Sequence, residues 1–142
     1  MSKENIRYKN TLAMLVTGAG LAVGMVAGSA TAQTAPATYT DGQAAGGQTV
    51  YRNHCETCHG DTLQGLLEAP TLTGPRFQAN WWGGPVRDLY DFIVMFMPQD
   101  KPTSLSKKEY ADVTAYILKF NNVPAGTAEL PEDPPKTMVI PK

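Results

Sequence analysis

Cys55, Cys58 and His59 are the residues of this chain whose types and spacing carry chemistry, and they lie together in the run from Tyr51 to Gly60. Two thiols three positions apart, with an imidazole directly after the second, form the arrangement that attaches a c-type haem. The spacing has a physical reason. On one helical turn each sulfur reaches a vinyl group on a neighbouring edge of the macrocycle, and the imidazole is aimed at the iron from one side. Other chemistries compete for the same residues. A redox CxxC pair is expected near a βαβ pattern, which this chain lacks. A structural zinc ion wants four ligands from two separated pairs. Cys55 and Cys58 are the only cysteines, and His54 and His59 the only histidines. One contiguous cluster does not easily wrap a tetrahedral ion. The expectation is one haem c, joined covalently through Cys55 and Cys58, with His59 on the iron.

The elements that must position this motif come from the rest of the chain. Its 142 residues carry a net charge of −1, which fits one domain. Residues 1–32 read as a secretory signal peptide: Lys3, Arg7 and Lys9 form a basic start, an apolar run follows from Thr11 to Gly28, and Ala30 to Ala32 supply an A-x-A cleavage site. The alternative is an uncleaved membrane anchor, weakened as a span by Gly18, Gly20, Gly24 and Gly28. Cleavage after Ala32 leaves 110 residues with nine Lys and Arg against twelve Asp and Glu, a net charge of −3. No basic stripe survives, which argues against a nucleic-acid partner. A domain this short has a modest core of its own, and a large flat apolar cofactor would fill its middle.

Residues 33–41 form a short lead-in of Ala, Thr, Pro and Gln, expected to be flexible. From about Gly42 to His54 the pattern turns helical, with Ala44, Gly47, Tyr51 and Cys55 on one face. Gly46 and Gly47 each cost such a helix about 1 kcal/mol relative to Ala. They either fray its first turn, or Gly47 lets another helix approach backbone to backbone.

Residues 60–74 read as a loop punctuated by Gly and Pro. A metal-ligating imidazole nearly always donates its other N–H to a fixed acceptor. The Pro70 carbonyl is the proposed acceptor for His59; the alternative is that Pro70 only shapes a turn. Trp81 and Trp82 precede Gly83, Gly84 and Pro85. At least one indole is expected in the core, with its N–H on a haem propionate, and an aromatic docking contact is the other use. Pro85 then starts a helix that repeats apolar residues at Val86, Leu89, Ile93 and Phe96. On a helical wheel Met97 falls about 40° from Ile93 and Met95 about 200° away. Met97 also precedes Pro98, which pushes it out of the helical region and ends the helix. Met97 is therefore the expected second axial ligand, with Met95 in packing or at the surface.

The last helix is marked by local rules. Ser106 and Glu109 form a capping box, with Leu105 and Tyr110 at the staple positions. Tyr110, Val113, Tyr116, Ile117 and Phe120 line one face, and Asn121, Asn122 and Pro124 stop it. A Pro-rich extension, residues 122–142, is expected to lie extended over the body or stay partly mobile.

Taken together, these residues resemble the class I cytochrome c family over nearly all of residues 42–121. The stretch from Gly47 through Tyr51 to Cys55 is similar to the family's N-terminal helix, and Tyr110 to Leu118 to its C-terminal helix. The resemblance implies an all-α fold of three to five helices around one covalently bound haem, with Gly47 and Tyr51 crossing Val113 and Tyr116. Pro70, Leu72 and Gly74 resemble the segment whose proline carbonyl holds the axial histidine, and Met97 with Pro98 resembles the methionine ligand. A narrower likeness is to small periplasmic cytochromes and cytochrome domains associated with PQQ-dependent alcohol dehydrogenases; similar signatures occur in cytochromes serving other dehydrogenases.

Haem held by His59 and Met97 has no open iron position, which suits electron transfer rather than catalysis. The reading is a periplasmic one-electron carrier between a dehydrogenase, of quinoprotein type on the narrower likeness, and a terminal oxidase or other respiratory acceptor. It touches a membrane only if the N-terminal segment is retained. The alternatives are a cytochrome subunit bound tightly to a dehydrogenase, and a haem enzyme or gas-binding protein with an open iron.

Overall fold

The computed structural model describes residues 35–142. The signal-peptide and cleavage expectations for residues 1–32 lie outside the described residues. Among the described residues the order is strand β1 (Ala35–Pro36), helices α1 (Asp41–His54), α2 (Glu56–His59), α3 (Gly74–Trp81), α4 (Val86–Phe96) and α5 (Lys107–Phe120), then strand β2 (Met138–Val139). None of these helices is long and apolar enough to cross a membrane.

Thr40 starts α1, its hydroxyl accepting the Gln43 N–H at 3.0 Å. The centre of the fold is the crossing of α1 with α5, and Gly47 is the reason it can be so close. A Cβ at position 47 would lie 1.8 Å from the Asp112 carbonyl oxygen and 3.0 Å from Tyr116 Cβ. The helix propensity lost at this glycine is exchanged for a backbone-to-backbone approach. Gly46 has more room, since a Cβ there would meet only Asp112 Oδ2 at 3.7 Å. One turn on, the Tyr51 and Tyr116 rings pack at 5.3 Å between centroids. Tyr116 is where the resemblance put it; the group against Gly47 is the carbonyl of Asp112, one residue before Val113.

The capping box at the start of α5 is formed. The Glu109 N–H donates to Ser106 Oγ at 3.2 Å and the Ser106 N–H to Glu109 Oε2 at 2.8 Å. The Ser106 N–H, joined by the Ser106 hydroxyl at 2.8 Å, holds the Glu109 carboxylate below the usual range. Tyr110 through Leu118 are buried on every face of α5, not on one stripe, because α1 and α4 both pack on this helix. Phe120, expected on the inner face, is 36% exposed.

Two segments depart from expectation. The eight-residue helix α3 occupies a stretch left without an assigned element; it buries Phe77 and carries Pro in its first turn. The lead-in is packed rather than flexible from residue 35 onward. Ala35 and Pro36 pair in parallel with Met138 and Val139, Ala37 and Tyr39 are buried, and the Tyr39 hydroxyl donates to the Val123 carbonyl. The lead-in and the Pro-rich extension thus supply each other's partners. Pro85 caps α4 from outside instead of entering it, a shift of one position that its fixed φ permits equally well.

Candidate functional site

Cys55 closes α1 and opens α2, and this double role sets the geometry of the site. The Cys55 N–H still donates to the Tyr51 carbonyl at 2.8 Å, while the Cys55 carbonyl accepts from Cys58 at 3.1 Å and His59 at 2.9 Å. Both thiols and the imidazole therefore leave a single tight turn. Cys55 is half-buried and Cys58 exposed, and both thiols are free. Burial, with Cys58 adding, pushes the Cys55 thiol up to about 11.

His59 is buried, at 6% exposure. Its Nδ1 lies 2.9 Å from the Pro70 carbonyl oxygen. With the Nδ1 proton donated there, Nε2 keeps its lone pair, the form in which imidazole ligates iron. The loop of residues 60–74 is tied back on this turn, with Gly65 donating to the His59 carbonyl (2.8 Å) and Leu66 to the Cys58 carbonyl (3.0 Å), and it is closed on itself by Leu72 donating to the Leu63 carbonyl (2.8 Å). The Tyr51 hydroxyl donates to the Gly60 carbonyl at 2.6 Å, joining the helix crossing to the residue directly after His59. Burial raises the Tyr51 phenol well above its ordinary value, so it stays a donor.

Met97 ends α4 in an extended conformation, as a residue before proline does, and packs half-buried against the core. Met95 is 55% exposed. Trp81 meets Phe92 edge-on at 5.7 Å, and Phe92 meets Phe96 at 5.0 Å. The two phenylalanines are 43% and 50% exposed, so Phe96, expected in the core, instead belongs to an open aromatic ledge. Trp82 is half-buried, and its indole Nε1 is fully buried without a hydrogen-bond partner.

Two residues serve this region through tertiary contacts that local patterns did not signal. The Tyr110 hydroxyl donates to the Met97 carbonyl at 3.0 Å. Asn121, read only as a helix stop, donates from Nδ2 to the Leu72 carbonyl at 2.8 Å, tying the Pro70 segment to the end of α5.

The donor set suits a haem and suits a bare ion poorly. Among the described residues no three His, Cys, Asp or Glu side chains gather to hold a metal ion. A haem presents a flat apolar face, two vinyl groups, an iron and two carboxylates. The two free thiols and the oriented imidazole match the vinyl groups and the iron, and the buried, unpaired indole N–H is a donor of the kind a carboxylate accepts.

The five helices among the described residues and this turn define the chain as a class I c-type cytochrome. Residues 42–117, more than half of the chain, match the family described as cytochrome C oxidase, cbb3-type, subunit III, and the chain belongs to that family. It is 32% identical over 89 residues to the cbb3-type cytochrome c oxidase subunit CcoP of Azospirillum sp. (strain B510), a match covering 60% of this chain and 30% of that one. The chain thus spans less than a third of that relative's length. Among solved structures it is similar to a chain of the sulfane dehydrogenase SoxCD from Paracoccus pantotrophus, at 24% identity and a TM-score of 0.47, over 63% of this chain and 51% of that one.

Proposed function

We propose that this chain is a monohaem one-electron carrier, in which Cys55 and Cys58 would hold haem c covalently and His59 and Met97 would ligate its iron. The observation that carries the reading is the His59–Pro70 hydrogen bond beside the two free thiols, which leaves one ring nitrogen oriented for the iron. Bound haem supplies a reversible ferric–ferrous couple, and His/Met ligation favours the ferrous side. The residues of the chain do the rest. Pro70 fixes the imidazole plane. The α4 terminus delivers the Met97 thioether with Tyr110 gripping its carbonyl.

With His59 and Met97 both given to the iron, the site would pass electrons without binding a substrate. The chain is exported, its leader is removed after Ala32, and it works in the periplasm between a dehydrogenase, a quinoprotein in one version, and a respiratory acceptor. Docking is brief and uses a small patch, as weak electron-transfer encounters do. The test is the absorption spectrum and mass of the chain purified after secretion. Cytochrome bands with a mass increment of one haem that persists on denaturation are expected. A colourless chain of unmodified mass overturns the reading.

A second reading follows from the relative named as an oxidase subunit: the chain is a resident electron relay of a larger oxidase or dehydrogenase complex. Gel filtration of native extracts separates the two. A haem signal at the size of the free chain supports the shuttle, and one at the size of an assembly supports the subunit.

A further inference from the structure

The extension from Leu130 to Lys142 is laid along the helical body as a strap, and its fastenings converge on the turn that carries Trp82. Gln43 of α1 grips its beginning, donating to the Leu130 carbonyl at 2.9 Å and accepting from the Leu130 N–H at 2.7 Å. Two residues of α4 hold its middle: Tyr90 donates to the Glu132 carbonyl at 2.7 Å, and Arg87 pairs with Asp133 at 2.6 Å. Strand β2 then lies against β1, and Val139 also bridges to Pro85. At Ile140 the strap closes on the turn after Trp82. The Gly83 N–H donates to the Ile140 carbonyl at 2.8 Å, and the Ile140 N–H donates to the Gly84 carbonyl at 2.9 Å. The Ile140 side chain is fully buried.

That turn needs an outside support. Gly83 sits at φ +77°, where glycine is the comfortable residue, and neither Gly83 nor Gly84 has a side chain to anchor itself. Trp82 leads directly into it with a buried indole N–H that nothing in the protein accepts. A buried donor is costly to leave unmade, and an acceptor brought by a ligand would remove that cost.

We propose that the strap, through the backbone pairing of Ile140 with Gly83 and Gly84, is the positioning element that holds the Trp82 indole N–H for a carboxylate of the bound haem, and so sets the reduction potential. The proposal rests on the haem reading given above. A hydrogen bond to that carboxylate disperses negative charge near the iron and favours the reduced state. Loosening the strap shifts the couple toward the oxidised form.

The test compares the full chain with a chain ending at Thr137, with Ile140→Ala, with Trp82→Phe, and with the Thr137 truncation combined with Trp82→Phe. At one fixed ambient potential, Trp82→Phe and the truncation should each shift the ratio of reduced to oxidised protein about tenfold toward oxidised, which is 59 mV for a one-electron couple. Their combination should shift it no further, because both act through one indole N–H. Ile140→Ala keeps the backbone pairing and should give a smaller shift in the same direction; should the truncated chain not fold, Ile140→Ala combined with Trp82→Phe decides the same question. A ratio unchanged by the truncation, or shifts that add in full, overturns the proposal. Amide exchange at Gly83 gives a readout that needs no haem. It should be slow in the full chain and fast in the truncated one, and equal rates would remove the fastening itself. A full chain without haem would instead defeat the haem reading, with the Gly83 amide still reporting on the strap.

Discussion

The hydroxyl of Tyr110 donates a hydrogen bond of 3.0 Å to the carbonyl of Met97. One residue lies in the first turn of α5 and the other ends α4, so a single bond couples the two helices at the point where the proposed iron ligand leaves the helix. The Leu105 N–H also points to this hydroxyl, at 3.5 Å. Position 110 therefore holds the Met97 backbone from behind.

Replacing Tyr110 with Phe removes the bond and keeps the ring. The variant should lose about 1 kcal/mol of stability, the net worth of one such bond. It should also weaken the Met–iron charge-transfer band on warming before the wild type does. Chemical denaturation and the temperature dependence of that band give the two readings. A variant identical to wild type in both would show that Met97 is held by something else.

Met97 and Met95 make a direct pair of tests. Met97→Ala should abolish the charge-transfer band, lower the potential and open the iron to carbon monoxide in the reduced state. Met95→Ala, at a side chain 55% exposed, should leave all three unchanged. The reverse result would assign the iron to the wrong methionine.

Attachment is tested at the thiols. Cys55→Ala or Cys58→Ala should weaken or abolish covalent haem, read as haem staining on a denaturing gel. A variant lacking both thiols that still stained would defeat the thioether model.

Gly46 and Gly47 are neighbours with opposite predicted outcomes. Gly46→Ala meets only an ordinary contact at 3.7 Å, so the helix should gain up to about 1 kcal/mol from propensity. Gly47→Ala places a methyl group 1.8 Å from the Asp112 carbonyl oxygen. Overpacking of that kind costs about 1–3 kcal/mol, and here the obstacle is backbone, which cannot swing aside. Thermal melts of the two variants should move in opposite directions.

The capping box gives an acid dependence. Hydrogen bonds from the Ser106 backbone and side chain hold Glu109 below its ordinary value of 4.5. A carboxylate depressed on folding contributes stability above its unfolded value and loses it as pH falls through its folded one. Wild type should therefore lose its advantage over Glu109→Ala progressively below about pH 4.5, and the two melting curves should converge there. Because Glu109 lies at the surface, the separation at neutral pH should be small and shrink with salt.

The grouping of Cys55, Cys58 and His59 was legible along the chain because the three are adjacent in it. Two cysteines and a histidine on one turn need no tertiary contact to be brought together, and the local signals of α5, from the Ser106–Glu109 box to the stop at Asn121, act within one or two turns. Met97 as a helix terminus before proline was legible for the same reason. The short helix α3, the exposure of Phe96 and the packing of the lead-in were not, since each depends on what lies across the fold.

By itself the sequence determined the grouping of Cys55, Cys58 and His59 and the helices α1, α4 and α5, because spacing, capping and proline act over a few residues. Tertiary structure alone decided which atoms meet: the Asp112 carbonyl over Gly47, Tyr110 behind Met97, and Ile140 closing on the turn after Trp82. Each pair has a backbone carbonyl or amide on at least one side, which every residue possesses. A residue such as Gly47 can mark that a close approach will occur, but the group it meets is fixed only when the chain has folded.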